Sequence, residues 1–166
     1  PASMVSQPFP NDPDHFQVSN LTPDGYVVNT SFSVNTPHPS TARPETLIPN
    51  QTAPTIGDRL SAAGISWAWN SGGWNDAVAG HPAPLFQFHH QPFVYFAPYA
   101  DETPDRGAHL KDETDFLAAL RDGSLPQVSF FKPLGEDNEH PSYTTVARGQ
   151  QHVAELVQAI QASPVW

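Results

Sequence analysis

The chain contains no cysteine, which excludes a disulfide framework, a thiolate metal site and a cysteine nucleophile. Positive charge is scarce. Only 7 Lys and Arg stand against 17 Asp and Glu, a net charge of −10 at pH 7, so there is no basic surplus to neutralise a nucleic-acid backbone and nucleic acid is not an expected partner. Long hydrophobic runs are missing as well. Stretches such as Ala77–Val78–Ala79 fall far short of the ~20 apolar residues of a membrane-spanning helix, so no transmembrane segment is expected. Pro1–Ala2–Ser3–Met4 holds neither the positive nor the apolar region of an export signal, and any such signal is expected to lie outside this sequence.

What is present points to a folded, loop-rich body. The 19 prolines favour ordered coil, and aromatic residues, 4 Trp and 10 Phe among them, supply the apolar area that disordered chains lack. A length of 166 residues suits one ordinary domain. Residues 1–54 read as a coil-rich segment with a β-hairpin or edge strand at Tyr26–Val34, behind the turn chemistry of Pro23–Asp24–Gly25. Residues 55–166 read as an α/β section of helix, strand, helix, strand, helix.

Local chemistry places those elements. Thr55 and Asp58 form a capping-box pair ahead of Ile56, Leu60 and Ala63 on one helical face, with Gly64 as the stop. Ile65–Trp69 follows as a strand ended by Ser71–Gly72–Gly73. Asp112 and Asp115 bracket the first turn of a second helix, striped by Phe116, Leu117 and Leu120 and closed by Gly123. Gln127–Phe131 is the second strand, and a third helix from about Arg148 to Ala162 carries Val153, Leu156, Val157 and Ile160 at spacings of three and four. A helix in such a fold normally returns to a parallel strand, so a further strand beyond Trp166 and a bare sheet edge are expected.

Three histidines stand out. His89 and His90 lie in the aromatic stretch Phe86–Phe93, where adjacent side chains of a strand or helix diverge and only one of the two is expected to face a ligand. His140 lies in the acidic loop Gly135–Pro141, directly after the second strand, and loops beyond the carboxyl ends of parallel strands build active sites. The remaining histidines show no partner pattern. Against a catalytic role stands the plain alternative that these rings tie down coil by hydrogen bonding. Trp67, Trp69 and Trp74 could wall a pocket, although packing is the commoner fate of Trp. No phosphate-cradling glycine loop and no Gly-x-Ser-x-Gly elbow occurs.

Four stretches together carry a resemblance: Ala53–Leu60, Ile65–Trp69 with Gly72–Gly73–Trp74, Phe86–Phe93, and Leu134–Pro141. With them the chain resembles the bacterial acid phosphatase and phospholipase C phosphoesterase family, over most of its length. The resemblance implies a partial alkaline-phosphatase-like α/β sandwich and hydrolysis of phosphate esters by a Ser or Thr nucleophile beside a divalent metal. It implies that His140 and one of His89 and His90 contact the transferred phosphoryl group, with Lys132 a further phosphate contact, and that the enzyme is secreted or periplasmic. The family's Glu-Asn metal motif, nucleophile segment and Asp-bearing strand have no counterpart in these residues. The divalent metal is therefore expected only in the complete enzyme, with none held by this chain alone, and the remaining segments of the same enzyme are its expected partners beside a phosphate-ester substrate. Ser142 stands where the family pattern has Gly, and Asn70 where it has Tyr. A protonated His140 or His90 would donate to a phosphate oxygen or to the departing alkoxide. A non-catalytic ligand-binding or structural α/β module remains the alternative.

Overall fold

A computed structural model describes residues 5–6, 27–28 and 31–166. In the amino-terminal part, β1 (Val5–Ser6) pairs antiparallel with β2 (Val27–Val28); the rest of the Tyr26–Thr30 stretch lies outside the described residues. Phe32–Val34 runs beside Ile48, with Ile48 N–H donating to the Phe32 carbonyl at 2.7 Å and Val34 N–H to that of Ile48 at 2.9 Å. This segment is tied to the body by Ser33 Oγ and Asn35 Nδ2, which both donate to the Val94 carbonyl at 2.7 Å.

The capping box at Thr55 opens α1 (Ile56–Ala62). Of its expected apolar face only Leu60 packs against the core. Ile56 and Ala63 are exposed, and the helix meets the core through Gly57, where a Cβ would overlap the Trp67 indole. Close approach of the backbone to a large ring outweighs the short apolar stripe. Then come β3 (Trp67–Ser71), two residues beyond the expected strand, and the unexpected short helices α2 (Trp74–Val78) and α3 (Pro104–His109). Between β3 and α3, residues 88–99 form three consecutive short 3-10 turns. An additional strand, β4 (Leu110–Asp112), leads straight into α4 (Glu113–Asp122), capped by Asp112 and closed by Gly123 at φ +70°. The chain continues with β5 (Val128–Lys132) and α5 (Val146–Gln161).

The architecture is α/β. The three strands are parallel in the order β4-β3-β5, with β3 central. Period-two alternation puts Trp67, Trp69, Leu110 and Phe130 on one face. There Trp67, Phe86, Phe93, Val94 and Tyr99 form the buried core. Trp67 stacks on His109 at 4.1 Å and meets Phe93 at 4.8 Å, and both Trp67 and Trp74 are buried in packing, with Trp67 also bordering a cleft beside His109 and Asn70. The opposite face carries Asn70 and Phe131 and is covered by Phe116 of α4. Asn70 is buried and donates to the Phe130 carbonyl at 3.0 Å, a structural role.

Helix α5 also departs from expectation. Leu156 and Ile160 turn inward, but Val153 and Val157 are exposed, because the helix docks through its amino-terminal half and its one buried residue is Gly149. Among the described residues β5 is paired on one side only, and all five of its residues are half-buried.

Candidate active site

Parallel strands present their carboxyl ends together, and here Ser71, Asp112 and Lys132 stand in one register row at that edge of the sheet. Two close approaches then bring distant loops to the row. At Gly135 a Cβ would overlap the Leu85 carbonyl, and at Gly72 it would press on the Leu134 backbone. Small residues thus let the loop after β5 lie directly against the start of the Phe86–Phe93 segment.

That segment carries His89 and His90 in the 3-10 turn Phe88–His90, closed by His90 N–H donating to the Gln87 carbonyl at 2.8 Å. Phe86 and Phe88 meet edge to face at 5.3 Å and anchor it. Divergence of the two imidazoles was the expectation for a strand or helix. Neither element forms, and in the tight turn the two rings touch edge to face with centroids 4.4 Å apart.

Electrostatics ties three chain segments together. Burial, then the Lys132 ammonium, then charge on His140 hold the His89 pKa below its ordinary value. Burial, Lys132, His89 and His140, in that order, press His90 down to about 4. Burial likewise lowers Lys132. His90 is therefore neutral at pH 7 when no anion is bound, and a protonated donor there has to gain its proton as an anion binds.

His140 is exposed, and its ring is fixed locally. Its backbone N–H donates to Asn138 Oδ1 at 2.9 Å, the ring stacks on Tyr143 at 4.2 Å, and Nδ1 lies 2.6 Å from the Pro141 carbonyl. A carbonyl only accepts, so Nδ1 carries the proton and Nε2 is the nitrogen left for chemistry. Glu139 and Ser142, either side of His140 and Pro141, hold left-handed backbone at φ +62° and +72°. The family pattern's Gly at position 142 has its physical reason in that angle.

Other participants were not legible. Tyr143 follows His140 by three residues, a spacing with no meaning until the loop turns. His109 and His152, which showed no partner pattern, have partners: the Trp67 indole for one, and for the other Glu113 Oε1 at 3.3 Å from Nε2. Gln91, next to the histidine pair, is fully buried, and neither end of its amide is bonded among the described residues.

His89 and His90 thus lie together within electrostatic reach of Lys132 and His140. Among the described residues no group of three or more His, Asp or Glu side chains is arranged to hold a metal ion. A family model described as the phosphoesterase family matches residues 8–166. The chain belongs to the phosphoesterase family. A phosphoester hydrolase-type function goes with that membership, and the histidine- and lysine-bearing loops lie inside the phosphoesterase match. No curated protein matches the chain. Among the described residues no helix is long and apolar enough to cross a membrane.

Proposed function

We propose that this chain is a section of a metal-dependent phosphoesterase of acid phosphatase or phospholipase C type, secreted or periplasmic, in which His89, His90, His140 and Lys132 contact the phosphoryl group. Nucleophile and metal ligands come from the remaining segments of the same enzyme. The observation that carries the reading is that the touching His89 and His90 rings lie within the electrostatic reach of Lys132 and His140 from two other chain segments.

Their division of labour follows from charge. Phosphoryl transfer needs neutralisation of the equatorial oxygens and protonation of the leaving oxygen. Lys132 supplies fixed positive charge. His89 and His90, kept neutral by burial, donate N–H bonds without adding a cation beside the ammonium. When a phosphate dianion arrives it offsets Lys132, favours the charged imidazoles and draws protons into the site. His140, with Nδ1–H held by a carbonyl, takes up a second proton on Nε2 as the dianion binds and, as the imidazolium, gives that Nε2 proton to the departing alkoxide and returns to the neutral Nδ1–H form.

Titration of the chain with inorganic phosphate at pH 7, followed by NMR on the histidine ring signals, tests this reading. His89, His90 and His140 should shift together on one saturation curve, with chloride at equal ionic strength giving no such shift. No response of these rings, or equal response of the exposed His81, overturns the reading.

A further inference from the structure

We infer that Arg148 is a positioning residue for His140: from the first turn of α5 it holds the acidic turn Gly135–Asp137 and masks that turn's charge beside the anion site. The inference rests on the phosphate-contact reading above and assigns to α5 a part in that same site.

The need for an external hold is written in the backbone. Two left-handed residues in four, neither of them glycine, are uphill for L-amino acids and persist only where the surroundings over-determine them. The bonds within the loop, Asn138 to the His140 amide and His140 to the Pro141 carbonyl, are local and move with it. What fixes the loop must come from elsewhere in the fold.

It comes from α5. Arg148 Nε donates to Asp137 Oδ1 at 2.6 Å, and a terminal nitrogen lies 3.8 Å from Glu136 Oε2. One planar fork thereby meets two carboxylates, with a fixed donor geometry that a lysine ammonium lacks. The next residue, Gly149, is the one buried residue of the helix, and the Glu139 side chain fills the space where its Cβ would stand. A turn further on, His152 Nε2 comes within 3.3 Å of Glu113 Oε1, on the first residue of α4, without a hydrogen bond, and its ring packs at a tilt against Phe131 of β5, centroids 6.0 Å apart. The helix is thus pinned to the strand that ends in Lys132, and it carries the His140 loop on the same frame.

Charge gives Arg148 a second effect on the same event. Glu136 and Asp137 precede His140 by four and three residues, and unpaired they would repel a phosphate dianion with two negative charges. The one guanidinium shared between them lowers that to a net charge of −1.

The experiment uses Arg148→Gln, Arg148→Lys and Asp137→Asn, each compared with the wild-type chain. Phosphate affinity, the His140 ring shifts and the nuclear Overhauser effect between the His140 and Tyr143 rings are measured. Arg148→Gln should weaken inorganic phosphate about fivefold, displace the His140 signals and weaken the Tyr143 contact, while His89 and His90 titrate as before. Arg148→Lys should recover part of the affinity. Asp137→Asn removes the same bridge from the other side and should displace His140 in the same direction. Wild-type phosphate affinity together with unchanged His140 signals in both Arg148→Gln and Asp137→Asn overturns the inference. A wild-type chain that ignores phosphate overturns the site reading instead; a His140–Tyr143 contact still lost in Arg148→Gln then upholds the positioning role.

Discussion

The Lys132 ammonium, second only to burial, depresses His90, whose pKa falls from 6.5 to about 4. Between those values the unfolded chain binds the proton that the folded chain refuses. Stability from this ring is complete above about pH 6.5 and is lost as pH falls toward 4, on the order of 2 kcal/mol after allowance for solvent screening. Urea unfolding across pH 4–8 should show this slope in the wild type and a shallower one in His90→Gln. Equal slopes would mean that the ring titrates freely when folded.

Lys132→Met removes one cause of the depression and leaves the other. The pKa values of both His89 and His90 should rise, yet stay below 6.5, because burial is the larger cause. Ring-proton titration by NMR decides it, and histidine values that do not move on loss of the ammonium would show that Lys132 stands too far away to matter.

Ser142→Gly relieves a left-handed residue. With φ already at +72°, the glycine variant should be more stable by about 1 kcal/mol, net of the extra freedom it gives the unfolded chain. Thermal unfolding measures the gain; a less stable variant would show that the Ser142 side chain contributes something that outweighs its backbone cost.

Gly57→Ala should cost about 2 kcal/mol, since the added methyl meets the Trp67 indole and the Tyr99 hydroxyl group inside a packed core. Tryptophan fluorescence should report the shift in Trp67 as well as the lower urea midpoint. A neutral substitution would mean that α1 can slide away from the core at little cost.

In an active phosphoesterase carrying this section, His140→Asn should lower kcat by ~10²–10³ with a smaller change in KM, as expected for a donor whose bond strengthens in the transition state. Steady-state kinetics on an aryl phosphate gives the split, and an unchanged kcat returns His140 to the status of a loop residue.

Legibility followed the range of the interactions. Thr55 with Asp58, Asp112 with Asp115, and Gly123 were readable because caps are settled within four residues. The strands at Trp67 and Val128 were readable to within two residues, through their apolar runs. Leu110–Lys111–Asp112 was not, because three residues with one apolar side chain become a strand only through pairing with Trp69–Ser71. The α5 stripe misled for the same reason: which of its apolar residues turn inward depends on Gly149 seating Glu139, a contact ten residues apart that no helical period encodes. At the site, His140 was marked by its place after a strand, whereas the contact of His89 with His90 depended on a turn that neither periodicity describes.

The central position of β3 also sets an order of events during folding. Its two neighbours lie about forty and sixty residues downstream, so Trp67–Ser71 stays unpaired until β4 and β5 have been made and have crossed over to it. Loop-closure entropy must be met before either ladder returns any free energy, and such non-local parallel pairing is slow. During that interval two tryptophans on an open strand are the chain's most exposed aggregation hazard. A ribosome-bound chain ending before Val128 should accordingly lack the finished sheet, and the cluster around Lys132 can exist only once the last of the three strands has docked.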